Sequence, residues 1–185
     1  MDKVVLQLID ELKNLNSLNE CYEVIDKYCD TVDGFEDLDL NLFRYKDIYI
    51  RSGKIFNLEP QKQIFEKLSE FNLYTAPEFV AYIRLENNED MILITRIQNS
   101  QNSSIEPYIN ERKNVTTDAK QELIHDFDEL AKKNIYNPII NSAKEWFVIS
   151  TTKKLYIDNW IQLKTFTDNN EKAEKRSSLL SLLEM

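Results

Sequence analysis

Glycine is nearly absent from this chain of 185 residues, which carries only Gly34 and Gly53. Two isolated glycines cannot form a GxGxxG or GxxxxGK phosphate cradle, because backbone amides close on a phosphate only where several glycines at fixed spacing permit the approach. Histidine is scarcer still, with His125 alone. One imidazole and two thiols, Cys21 and Cys29, exclude a Cys-rich or two-histidine zinc site. If one helix carries both cysteines they stand about 12 Å apart, too far for a disulfide, and they read as two buried thiols of a reducing compartment. Positive charge is in deficit as well, 23 Lys and Arg against 32 Asp and Glu, for a net charge of −9. That balance argues against a nucleic-acid footprint, which draws its affinity from Lys and Arg, and suits a basic protein partner. Long apolar runs are missing too. No segment approaches the roughly 20 residues of a membrane span, and Asp2, Lys3, Asp10 and Glu11 bracket the first apolar run too closely for a signal peptide. The expectation is a cytoplasmic chain without membrane contact.

What is present centres on residues 79–97, FVAYIRLENNEDMILITRI. Phe79, Ala81, Ile83 and Leu85 alternate with Val80, Tyr82 and Arg84, so the first run reads as a strand with two distinct faces. Met91 to Ile97 is almost continuously apolar, the pattern of a strand covered on both sides. An acidic turn, Glu86 to Asp90, joins them into an antiparallel hairpin.

Helices are expected to flank this hairpin. Val5, Leu8, Leu12 and Leu15 recur at helical spacing over 2–15, and Ser17 caps a second helix carrying Leu18, Cys21, Tyr22 and Ile25. Asp33, Glu36, Asp37 and Asp39 around Gly34 read as a solvated loop. Residues 40–57 read as two short strands with a bend at Ser52-Gly53. Glu59-Pro60 is expected to open a helix with Ile64, Phe65, Leu68 and Phe71 inward. The polar stretch 98–114 reads as a loop or hinge, and a helix is expected over about 118–133 behind Thr116 and Thr117. A second hairpin runs from Trp146 to Ile157, and a terminal helix docks through Leu179, Leu180, Leu182 and Leu183. The fold class is therefore α+β, an antiparallel sheet built on the 79–97 hairpin with helices from both ends. The chain reads as one domain, 1–185, which a hinge at 98–114 can divide into sub-lobes 1–97 and 115–185.

Residue chemistry names no reaction. His125 sits between charged neighbours in a regular helical pattern and reads as a surface or cap residue, with no geometric motif tying it to a serine or cysteine nucleophile. Carboxylates abound, yet the pattern singles out none by an apolar setting that would raise its pKa.

The order of elements does carry a resemblance. A strand ending in GKIFN with Lys54 is followed by a helix carrying Glu66, a hairpin ending in MILITRI, a polar hinge, a helix, the segment NIYNPIIN, and a hairpin closing on YIDNW. Over about residues 40–165 this layout resembles the protein-kinase and aminoglycoside-phosphotransferase fold, above all the small type III-secreted effector kinases that lack most of the large helical lobe. The resemblance implies that Lys54 would hold ATP phosphates, Glu66 would be its helix partner and Asp158 would bind magnesium, with Asn137 or Asn141 in the catalytic loop. The departures are specific. No Gly-rich loop is present, neither asparagine can accept a proton as the family's aspartate does, and IDN stands in place of DFG. A degenerate, kinase-like scaffold follows. The expected function is non-enzymatic binding of a basic protein partner, as in bacterial immunity proteins that neutralise a toxin, with no cofactor. The alternative is a divergent kinase-type effector or pseudokinase that binds ATP with magnesium through Lys54, Glu66 and Asp158.

Overall fold

The computed structural model describes residues 2–31, 41–98, 100–101, 103–157, 160 and 162–184. The acidic string around Gly34 lies outside them. The chain forms two compact units, Met1–Gln63 with Phe79–Arg96, and Ile64–Glu78 with Ile97–Met185.

In the first unit, α1 (Lys3–Leu12) begins where the Asp2 side chain accepts from Val4 N, and α2 (Leu18–Ile25) where Ser17 accepts from Glu20 N. Each cap satisfies one of the orphan amides of a helix start. The sheet contains β1 (Asp30–Thr31), β2 (Asn41–Tyr45), β3 (Ile48–Lys54), β4 (Glu78–Arg84) and β5 (Asp90–Arg96), in the order β1-β2-β3-β5-β4. The β4–β5 hairpin is the one expected from 79–97. One sheet face carries Phe43, Ile48, Ile50, Ile83, Leu85, Ile92 and Ile94, which share a core with Val5, Leu8, Leu12, Cys21 and Ile25 of the two helices. The register pairs Tyr49 with Thr95 and Arg51 with Leu93, which places those side chains on the opposite face.

Two boundaries differ from expectation. The β2–β3 turn falls at Lys46-Asp47, where Lys46 has φ 55°, and not at Ser52-Gly53. Ser52 and Gly53 lie inside β3, paired with Ile92 and Met91 of β5. A buried ladder on both sides outweighs the bend that Ser-Gly suggests in isolation. Helix α3 (Ile55–Leu68) starts ahead of Glu59-Pro60 and encloses Pro60. Its start is fixed by Ile55 N donating to Glu89 O at 2.8 Å. Pro60 has no N–H for the Phe56 carbonyl, and Phe56 is 72% exposed.

In the second unit α5 (Thr117–Lys132) follows its Thr116 cap and buries Leu123, Ile124, Phe127, Leu130 and Ala131. Strands β6 (Ile105–Pro107), β8 (Trp146–Ile149) and β9 (Leu155–Ile157) form one antiparallel sheet, and β7 (Ile135–Tyr136) pairs with β10 (Lys164–Thr165) in another. The polar stretch 98–114 thus contains β6 and the short α4 (Tyr108–Glu111). Tyr108, packed edge-on to Trp146 at 5.1 Å between ring centres, anchors it. Helix α6 (Asn169–Leu182) docks through Leu179 and Leu183, both fully buried, and through the paired bonds of Arg176 to Asp128. Among the described residues no helix is long and apolar enough to cross a membrane.

Candidate functional site

Lys54 ends β3 directly opposite Asp90 of β5. Its ammonium lies 2.9 Å from Asp90 Oδ1 and 3.3 Å from Glu89 Oε2. The turn is built to hold these two carboxylates. Asn87 Oδ1 accepts from Glu89 N at 2.9 Å and Asp90 N at 3.1 Å, and Asn87 Nδ2 donates to Asp90 Oδ2 at 2.7 Å. Asn88 takes φ 56°, a left-handed turn residue of the type asparagine tolerates. Hydrogen bonds to Asp90 and then Glu89 push the Lys54 pKa up, so the cation is fixed. Glu66 lies half-buried on α3. Asp158 lies outside the described residues.

The other cation of β3 is Arg51. Three positions separate it from Lys54, and strand alternation turns the two toward opposite faces. Arg51 is 6% exposed and its Nη1 donates to Thr95 Oγ1 at 3.1 Å. The sequence pattern hides it, because Ser52-Gly53 reads as a bend that ends the strand there. With β3 running from Ile48 to Lys54, Arg51 lies at mid-strand, paired with Leu42 of β2 and Leu93 of β5. A guanidinium keeps its charge and offers a planar donor fork where lysine offers a point charge.

Asn137 and Asn141 are engaged locally. Asn137, 1% exposed, accepts from Ile139 N at 3.0 Å and caps the 3-10 turn Pro138–Asn141. Asn141 Nδ2 donates to Lys175 O of α6 at 2.8 Å.

A buried carboxylate is present after all. Asp126 accepts from Tyr74 N, from Thr75 N at 2.7 Å and from Thr75 Oγ1 at 2.7 Å, and its side chain has no solvent exposure. Burial pushes its pKa up, against the bonds from Thr75 and Tyr74 that pull it down. The signal was available: 119, 123, 126 and 130 share a helix face, and Asp126 is its one charged member. His125 Nδ1 lies 3.4 Å from Asp126 Oδ1, and its ring meets Tyr74 edge-on. Tyr74 also lines a cavity of about 100 Å³ with Ile97, Ile149, Lys154 and Tyr156. Small-molecule sites usually span about 300 Å³ or more, so this one is too small for a nucleotide. Among the described residues no three metal-ligating side chains converge.

No protein-family model matches the chain, and no curated protein matches it. Solved structures do. One is the high-resolution (2.2 Å) crystal structure of WbdD, with TM-score 0.51 and 8% identity over 75% of this chain and 33% of that one. Another is the co-crystal structure of WbdD and the kinase inhibitor LY294002, with TM-score 0.47 and 9% identity over 71% of this chain and 32% of that one. This chain spans about a third of the length of those it matches. At such identity the likeness shows a fold and no activity: an α+β fold with a remote, kinase-like resemblance.

Proposed function

We propose that this chain is a kinase-like scaffold that acts by binding another protein and does not transfer phosphate. The observation that carries this reading is Asn137, whose Oδ1 is taken up by Ile139 N within the fold where the resemblance puts a proton acceptor or a metal ligand. An amide oxygen cannot take the proton of an attacking hydroxyl at neutral pH. The hold of Glu89 and Asp90 on Lys54 supports the same view, since a phosphate would have to displace two carboxylates. With a net charge of −9 the partner is a basic protein, and a toxin neutralised in the cytoplasm is the concrete case. Co-purification from the native host, at several salt concentrations, should yield one stable basic protein at stoichiometric amount. Recovery of the chain alone throughout would overturn the reading.

A second reading, nucleotide binding without transfer, is favoured by Arg51, a buried cation in the middle of β3. That reading uses Lys54, Glu66 and Asp158 as the nucleotide set. Millimolar ATP with magnesium then raises the melting temperature, by mass action on the native state. Loss of that shift in Lys54→Ala assigns the phosphates to Lys54, and loss in Arg51→Lys assigns them to Arg51. No shift in the unaltered chain leaves protein binding alone.

A further inference from the structure

Strand β4 is one of the two edge strands of its sheet. It differs in kind from its neighbours. β3 and β5 are buried along nearly their whole length, whereas Glu78, Tyr82 and Arg84 of β4 are exposed and Phe79, Val80 and Ala81 are half-buried. Within the hairpin Leu85 N donates to Asp90 O. Alternation therefore turns the backbone groups of Phe79, Ala81 and Ile83 toward β5, and those of Glu78, Val80, Tyr82 and Arg84 outward. Among the described residues no strand lies beside that outward row. Neither proline nor glycine interrupts it, although natural sheets usually blunt an exposed edge.

The side chains on the outward row share one sheet face and run in the order acid, β-branched, aromatic, base. Turned about a two-fold axis through Ala81, that order is its own complement: Glu78 meets Arg84, and Val80 meets Tyr82. We propose that β4 is a self-association edge, pairing antiparallel with β4 of a second copy of this chain. A two-fold contact repeats each pair, so the edge supplies opposite charges at both ends and β-branched–aromatic pairs between them, all at hydrogen-bonded positions. The side chains are already held on the surface. Lys62 Nζ lies 4.2 Å from the Tyr82 ring centre, and Glu59 Oε2 lies 3.2 Å from Arg84 Nη2, yet Tyr82 remains 44% exposed. A uniformly basic strand would fit less well, because it would oppose Arg84. This contact is separate from the partner binding proposed above and stands without it.

Sedimentation of the full chain from about 1 μM to about 1 mM tests it, with a dimer expected at a dissociation constant on the order of 10–100 μM for so small an interface. Glu78→Arg or Arg84→Glu alone sets like charges opposite each other at both ends and weakens association about tenfold, and the double reversal restores it. In the unaltered chain, hydrogen-exchange protection of the Val80 and Tyr82 amides rises with concentration, a readout that needs no variant. A wild-type chain that stays monomeric at about 1 mM overturns the proposal. So do folded single variants that dimerise as before, a folded double variant that fails to recover, or Val80 and Tyr82 amides whose protection ignores concentration.

Discussion

Asp126 faces two opposed demands, since burial disfavours its charge while the Tyr74 and Thr75 donors require an acceptor. In Asp126→Asn the new amide N–H₂ confronts backbone N–H donors, and buried donors left without acceptors cost the full desolvation penalty. Unfolding free energy at neutral pH is expected to fall by about 1–3 kcal/mol, measurable by denaturant titration. The pH dependence has a fixed sign. The folded-state pKa lies above the unfolded one, so the contribution is present at low pH and is lost as pH rises through the folded value. The gap between the unaltered chain and Asp126→Asn therefore widens from about pH 7 down to about pH 4, and a gap that narrows would contradict the burial argument. The cysteines give a second expectation at this scale. Burial, reinforced by Glu20 and Asp90, pushes the Cys21 thiol up to about 11, and burial with Asp30 and Asp26 pushes Cys29 up to about 12. Since only the thiolate reacts, both should alkylate at about pH 8 at least a hundredfold more slowly than a free cysteine, and denaturant should abolish the difference.

Among elements, α3 buries Leu58, Phe65 and Leu68 and carries a misplaced proline. Pro60 sits inside the helix, where it leaves the Phe56 carbonyl without its intrahelical partner. Pro60→Ala restores that bond and the helix propensity, offset by a more flexible unfolded chain, and should stabilise by about 1–2 kcal/mol in thermal unfolding. A loss of stability would mean that the proline ring packs in a way alanine cannot replace. The same helix shows where sequence reading stops. A proline after an acidic residue is a sound helix-start signal, but here the start is set by Ile55 bonding to Glu89 in the hairpin turn, a contact 34 positions away that no local pattern displays. The 79–97 hairpin is legible because its alternation and its turn agree. Ser52-Gly53 misleads because its partners, Ile92 and Met91, come from that hairpin. Arg51 is hidden by the same displaced turn. Asp126, by contrast, is visible in the sequence as a charge on an apolar helix face.

For the whole molecule the governing quantity is charge, −9 spread over 185 residues. Many of its carboxylates are paired internally, as in Asp128 with Arg176, Glu122 with Lys154 and Glu59 with Arg84, and such exposed pairs add little to stability. The excess acid is what an approaching protein meets. If the partner is basic, encounter is steered by a field whose reach shrinks from about 30 Å at 0.01 M salt to about 3 Å at 1 M. Association rate constants should fall at least tenfold over that range while dissociation changes far less, because steering acts on encounter and close packing acts on escape. Surface-plasmon or stopped-flow kinetics with the co-purified partner separates the two. A rate of association indifferent to salt, with all the variation in dissociation, would make the acidity incidental to recognition and move the search to apolar surface such as Phe56 and Ile109, which are 72% and 57% exposed.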